Sequence, residues 1–236
     1  MTNDPNNNPT RYRAILLLGP TGSGKTPLGD ICEQMGLQGQ RCVHFDFGEH
    51  LRRIAESPAL PAFFSDSEMA VIRRSLATGA LLENETFYIA RQILEALIAQ
   101  QQMTSDDMLI LNGLPRHLGQ ARDVDTFIEI NRVILLECSA QTVCHRIAGN
   151  FGGDRSGRND DSLDRIQRKL DTFQERTLPL LNHYKELPII SLPVAESSTA
   201  QEMYRLLEEQ LNSAPVRAAC AFQFSPDDSE LHLEAA

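Results

Sequence analysis

Residues 13–26 read Arg-Ala-Ile-Leu-Leu-Leu-Gly-Pro-Thr-Gly-Ser-Gly-Lys-Thr. The run Arg13–Leu18 is short, apolar and stops at a glycine, the pattern of a buried strand. Gly19–Thr26 fits G-x-x-x-x-G-K-[ST], a loop that cradles phosphates when it joins a strand to a helix. The helix is expected over Thr26–Met35, so the context is the required one. Gly19, Gly22 and Gly24, with Thr21 and Ser23 between them, let backbone N–H groups turn inward around anionic oxygens. The helix N-terminus adds the positive end of its dipole. From this loop Lys25 reaches β- and γ-phosphates, and the Thr26 hydroxyl faces Mg2+. The stretch therefore implies a nucleoside triphosphate site with Mg2+ as cofactor, without settling what is done with the nucleotide.

Outward from the loop, short apolar runs alternate with helical stretches. Further strands are expected at Cys42–Phe45, Asp107–Leu111, Val133–Glu137 and Leu187–Ser191. Helical stretches are expected from about Asp66 to Gln102 with a break near Thr78-Gly79, around Arg146, over Ser162–Glu186 and over Ser198–Leu211. This alternation implies an α/β fold of the P-loop nucleoside triphosphate hydrolase type: a parallel five-stranded sheet with helices on both faces. Ligands in such sheets bind at the carboxyl ends of the strands. Residues 1–12, polar and rich in Pro and Asn, read as an arm. Residues 13–212 form the domain, and 213–236, where helical periodicity fails, read as a tail whose Phe222 and Phe224 have no evident dock.

The chain has 236 residues and a net charge of −10 from 22 basic and 32 acidic side chains. That acidity argues against a general nucleic-acid binder. Five cysteines, an odd number without a C-x-x-C, are read as reduced thiols in a cytoplasmic protein. The apolar run Ala14–Leu18 is too short for a signal or membrane segment. The basic residues comprise only three lysines, Lys25, Lys169 and Lys185, against 19 arginines, a bias expected to reflect codon usage. His44, His50, His117, His145, His183 and His232 show no ligand spacing and are expected in structural or surface roles.

Several segments lie at strand ends. Phe47-Gly-Glu-His-Leu-Arg52 follows the second strand, Asn112-Gly-Leu-Pro-Arg116 closes the third, and Gln120 lies four residues on. Arg146 is in the helix after the fourth. A Gly-rich stretch, Gly149–Asp161, carries Arg155 and Arg158 and leads into a helix with Arg165, Arg168 and Lys169, then Thr177-Leu-Pro-Leu and His183-Tyr184. In order and spacing, these resemble the adenylate kinases and, more broadly, the nucleoside monophosphate kinases, over about residues 13–212. NGLPR resembles that family's DGFPR and GEHLR its GDxLR. The segment from Gly157 to Tyr184 resembles GRxDDxxETIRKRLxxYxxxTxPLxxYY.

The resemblance implies ATP + AMP = 2 ADP, a reversible, Mg2+-dependent, in-line phosphoryl transfer in a monomer whose partners are ATP and a nucleoside monophosphate. It implies a helical monophosphate-binding insert over about 49–92 and a short lid over about 149–161, without a zinc site. Arg52 and Arg116 would hold the acceptor monophosphate, near Gly113. Gln120 and the Leu82 backbone would read its base. Arg146 would lie near the triphosphate base and phosphates, Arg158 and Lys169 beside the moving phosphoryl group, and the backbone of Ala195–Ser197 along the ATP adenine. Such transfer asks the protein for placement and positive charge more than for covalent chemistry. Asp160 and Asp161 would cap the helix that follows the lid.

Four departures from the family pattern bear on activity. Asn112 replaces an Asp that helps hold Mg2+ through water, so weaker Mg2+ handling is expected. Phe47 replaces a Thr that contacts the acceptor adenine; it can stack on a base but not hydrogen-bond to it. Lys169 replaces an Arg, losing a bidentate fork but keeping the charge. Asn150 replaces a lid arginine, for which Arg155 is expected to substitute. Two alternatives follow: a catalytically weakened nucleotide-binding protein serving as sensor or partner module, or a kinase with another acceptor base, CMP or UMP. A small-metabolite kinase fits less well, because Arg52, Arg116 and Gln120 suit a nucleotide acceptor.

Overall fold

The computed structural model describes residues 11–57, 63–153 and 162–213. Five strands, β1 (Tyr12–Leu18), β2 (Cys42–Asp46), β3 (Met108–Asn112), β4 (Ile128–Glu137) and β5 (Ile189–Pro193), form one sheet in the order β2-β3-β1-β4-β5. Every pairing is parallel. β1 begins one residue inside the segment read as the N-terminal arm. β1 lies at the centre because it is apolar on both sides: Ala14, Leu16 and Leu18 pack into one core, Ile15 and Leu17 into the other. Leu109 and Leu111 alternate in the same way with Met108 and Ile110, as do Val133 and Leu135 with Ile134 and Leu136.

Helix α1 (Lys25–Met35) covers the second face, together with α6 (Ala140–Ala148), α7 (Leu163–Thr172) and α9 (Ala200–Asn212). The first face is covered by α2 (Phe47–Glu56), α3 (Asp66–Thr78), α4 (Phe87–Gln100), α5 (Leu118–Val124) and α8 (Leu180–His183). α3 opens on a Ser65/Glu68 capping box and stops at Gly79 in the left-handed region. α9 opens on the same device with Thr199 and Glu202.

Three expectations shift. α2 starts directly at the end of β2, where the residue pattern alone gave no helix and the resemblance implied only a helical insert from about 49. Asp46 caps it by accepting from the Glu49 amide, and Phe47, Leu51 and Ile54 form its buried stripe. The long helix expected over Ser162–Glu186 is broken: α7 runs into a π-helical turn at Phe173–Thr177, and α8 restarts after Pro179, which has no N–H for a continuous ladder. β5 begins at Ile189 rather than Leu187, and β4 extends back to Ile128, with a register irregularity opposite Ala14/Ile15. Among the described residues no helix is long and apolar enough to cross a membrane.

Candidate active site

The carboxyl ends of β1, β2 and β3 open on one cavity of about 210 Å³. Lys25, Thr26, Arg52, Arg116, Gln120 and Lys169 line it, brought from four separate segments of chain. Phe47, Asn112 and Gly113 lie in its wall beside the loop glycines Gly19, Gly22 and Gly24 and Thr21. Ser23 is buried beneath the loop. Gly22 has φ of +75°, and a Cβ there would stand 2.8 Å from Ile147 Cγ1, so the tight loop admits only glycine at that point. The Lys25 ammonium folds back onto the carbonyls of Gly19 and Pro20, at 2.7 Å each.

Arg116 is placed by its backbone. The Thr177 hydroxyl donates to its carbonyl at 2.8 Å, and its amide donates to Gln120 Oε1 at 2.7 Å. The π turn thus delivers Thr177 to the loop after β3. Burial pulls the Arg116 guanidinium down to about 10, still cationic at neutral pH. Among the described residues it has no carboxylate in ion-pair reach. A desolvated cation in a cavity, with no such carboxylate among the described residues, favours an anionic ligand, and a phosphate matches its fork.

Gln120 is almost fully buried, and both ends of its amide are engaged. While Oε1 accepts from Arg116, Nε2 donates to the Leu82 carbonyl at 2.8 Å. His117 Nε2 donates to the same carbonyl at 3.0 Å. The Leu82 side chain is buried in the core and Leu82 does not line the cavity; Leu81 does. The groups expected to read a base are here hydrogen-bonded to one another. Phe47 packs into the core beside Phe45 while also lining the cavity.

Arg146 is buried and is not in the cavity wall. Its Nε donates to Gly22 O at 3.1 Å, and its Nη1 to the carbonyls of Ala195, Glu196 and Ser198 at 2.9, 3.0 and 2.9 Å. It bolts the phosphate loop to the segment after β5. Arg155, Arg158, Asp160 and Asp161 lie outside the described residues, as do Phe222 and Phe224.

At the foot of the loop, three oxygen-bearing side chains meet. Thr26 Oγ1 donates to Asp46 Oδ2 at 2.5 Å, and Asn112 Nδ2 donates to the same oxygen at 2.9 Å and to Thr26 Oγ1 at 3.2 Å. Burial pushes the Asp46 carboxyl up. Hydrogen bonds from Thr26 and the Glu49 amide, with the His44 ring and the Arg52 guanidinium nearby, outweigh it and hold the carboxyl below its usual range. A hydroxyl, an amide and a carboxylate are hard donors of the kind Mg2+ takes beside nucleotide phosphates, so the set fits that ion. Among the described residues no group of three or more His, Cys, Asp or Glu gathers to hold a metal without such a ligand. Asp46 and Thr177 carry no assigned role in the sequence reading, and His117 only a structural or surface one; the position of Asp46 at a strand end, two residues before Gly48, was the available signal.

The fold and the loop define a P-loop nucleotide-binding protein, and comparison with known proteins narrows this. A family model described as "AAA domain" matches residues 18–167. The chain is 30% identical to adenylate kinase isoenzyme 5 of Bos taurus over 186 residues, 77% of this chain and 30% of that protein. It is 28% identical to an adenylate kinase of Prochlorococcus marinus over 75% of this chain and 85% of that one. It is 26% identical to UMP-CMP kinase 1 of Oryza sativa over 73% and 63%. The chain spans less than a third of the bovine protein's length but most of the bacterial one's. With its five-stranded parallel sheet, this chain belongs to that AAA-domain family, and its relatives set it with the adenylate and nucleoside monophosphate kinases, a family of phosphotransferases.

Proposed function

We propose that this protein transfers the γ-phosphoryl group of ATP to a nucleoside monophosphate, with AMP as acceptor and two ADP as products. The observation that carries this reading is the convergence of Lys25, Arg52, Arg116 and Lys169 on one cavity beside the phosphate loop. An oxygen of the acceptor phosphate attacks the γ-phosphorus in line while the bond to the β–γ bridging oxygen breaks. Arg52 and Arg116 hold the acceptor phosphate. Lys25 and Lys169 meet the charge on the transferring group. Arg146 supports the loops around the ATP, and Arg158 acts from the lid over 149–161. The insert over 49–92 closes on the monophosphate, excluding water and suppressing hydrolysis. Thr26, with Asn112 through water, would hold Mg2+, which would supply neutralisation of the phosphate charge.

A pyrimidine acceptor is the second reading. It is favoured by the engagement of the Gln120 amide and the Leu82 carbonyl with each other, and by Phe47 lacking a hydroxyl for adenine. A coupled assay with ATP, Mg2+ and each of AMP, CMP, UMP and GMP decides. The proposal expects ADP formation that requires a monophosphate, is fastest with AMP, and is blocked by a dinucleoside pentaphosphate spanning both sites. ATP binding with no transfer to any monophosphate refutes it.

A further inference from the structure

Asp46 is more than a helix cap. Capping α2 uses only one of its oxygens, Oδ1, which accepts from the Glu49 amide at 2.9 Å. The other, Oδ2, is aimed at the hydroxyl that follows the loop lysine, 2.5 Å away, and is held there by Asn112 Nδ2 at 2.9 Å. The side chain is buried yet lines the nucleotide cavity. A carboxylate taken out of water at this cost, beside the phosphate loop, is suited to a cation arriving with the nucleotide. The strands explain the partner. Asp46 and Asn112 are register neighbours on the parallel pair β2 and β3. A second carboxylate at 112 would stand within hydrogen-bond distance of the first, so the site accommodates the charge on one strand end only. Asn112 supplies an N–H donor where an Asp would supply repulsion.

We propose that Asp46 is the carboxylate through which this chain holds the divalent cation of its nucleotide, and that Asn112 is a positioning residue that aims it. The inference rests on the loop being a nucleoside triphosphate site, as read above. Its test is binding, so no acceptor is needed. The affinity of the full chain for a fluorescent ATP analogue is measured with excess Mg2+ and with EDTA, and the ratio of the two is compared among variants. Asp46→Asn keeps a capping oxygen for the Glu49 amide and removes the charge, while its new N–H donor meets Asn112 once that amide turns its oxygen inward. It is expected to cut the Mg2+-to-EDTA affinity ratio by about tenfold or more, the scale seen when groups supporting a bound metal are lost. Its affinity in EDTA should hold or improve, because a negative charge has left the phosphate site.

The double variant Asp46→Asn/Asn112→Asp moves the carboxylate across the register pair and reverses the hydrogen bond, and it should regain the ratio. Thermal melting confirms that each variant is folded; if Asp46→Asn alone is not, the double variant is compared with wild type, and a ratio well below wild type overturns the proposal. An unchanged ratio in Asp46→Asn overturns the proposal. So does a double variant no better than the single, or a wild-type protein whose nucleotide affinity ignores Mg2+. Failure of every monophosphate to accept phosphate would refute the kinase reading and leave this ratio unaffected.

Discussion

Replacing Arg146 by Met should loosen the nucleotide site from below without touching the cavity wall. The guanidinium presents one N–H from Nε to Gly22 O and the N–H pair of Nη1 to the carbonyls of Ala195, Glu196 and Ser198. Hydrogen bonds from a charged donor are each worth about 1.5–3 kcal/mol. The Nη1 bonds share two hydrogens among three carbonyls, so they do not count in full, and Met recovers part of the packing. A net loss of about 3–5 kcal/mol is expected, the scale for deleting one partner of a buried charged cluster. For a chain of this size each kcal/mol moves the melting midpoint by roughly 2–4 °C, so the drop should be roughly 6–20 °C. Arg146→Lys keeps the charge but cannot span both groups, and should fall between. Calorimetric melting of the three proteins measures this. In parallel, ATP affinity should fall by a larger factor than the KM for the monophosphate rises, since the freed carbonyls belong to the phosphate loop and the segment after β5. A melting midpoint for Arg146→Met within about 2 °C of wild type would refute the reasoning.

Two further outcomes follow from the charges and thiols. Arg176 grips Glu83 with both terminal nitrogens, at 3.0 and 2.9 Å, and this fork holds the Glu83 carboxyl below its usual range. A depressed carboxyl stabilises the fold above its unfolded value, and that gain is lost as pH falls through the folded one. Because both side chains are about half exposed, Glu83→Gln should cost less than about 1 kcal/mol in urea unfolding at pH 7 in low salt. The difference should shrink as pH falls below the usual carboxylate range and through the lowered folded value; a cost that does not change with pH would assign the residue another role. Burial pushes the thiols of Cys42 up to about 12 and Cys138 up to about 11, and raises buried Cys32 as well. Iodoacetamide at pH 8 should therefore label half-buried Cys144 well ahead of these three, as mapped by peptide masses. Equal labelling of Cys138 would contradict its burial.

The sheet was legible because β1, β3 and β4 are apolar on consecutive positions, a pattern that only a strand buried on both faces requires. The phosphate loop was legible because its function resides in backbone geometry that glycine spacing records directly. Other elements carried weaker signals. In Phe47–Glu56 a helix follows a strand without any connecting residue, and its cap, Asp46, is the strand's own last residue. The break at Phe173–Thr177 lies inside a long helix-forming stretch, and only Pro179, two residues past the turn, hints at it.

Side-chain partners were the least legible part of the site, because they depend on which strand ends are neighbours. Read along the chain, Asn112 is a lost negative charge, and weaker Mg2+ handling follows from it. Read across the sheet, β2 and β3 run in parallel register and set Asp46 beside it, 66 positions away in sequence. The same holds for Gln120. Four residues after Arg116 it looks free to meet a base, yet the fold returns the Leu82 carbonyl from 38 positions away to occupy its donor. In both cases the residue type was plain in the sequence, and the chemistry available to it was set by the neighbour that the topology supplied. A motif position that departs from its family should therefore be weighed with its register partner before its charge is counted as missing.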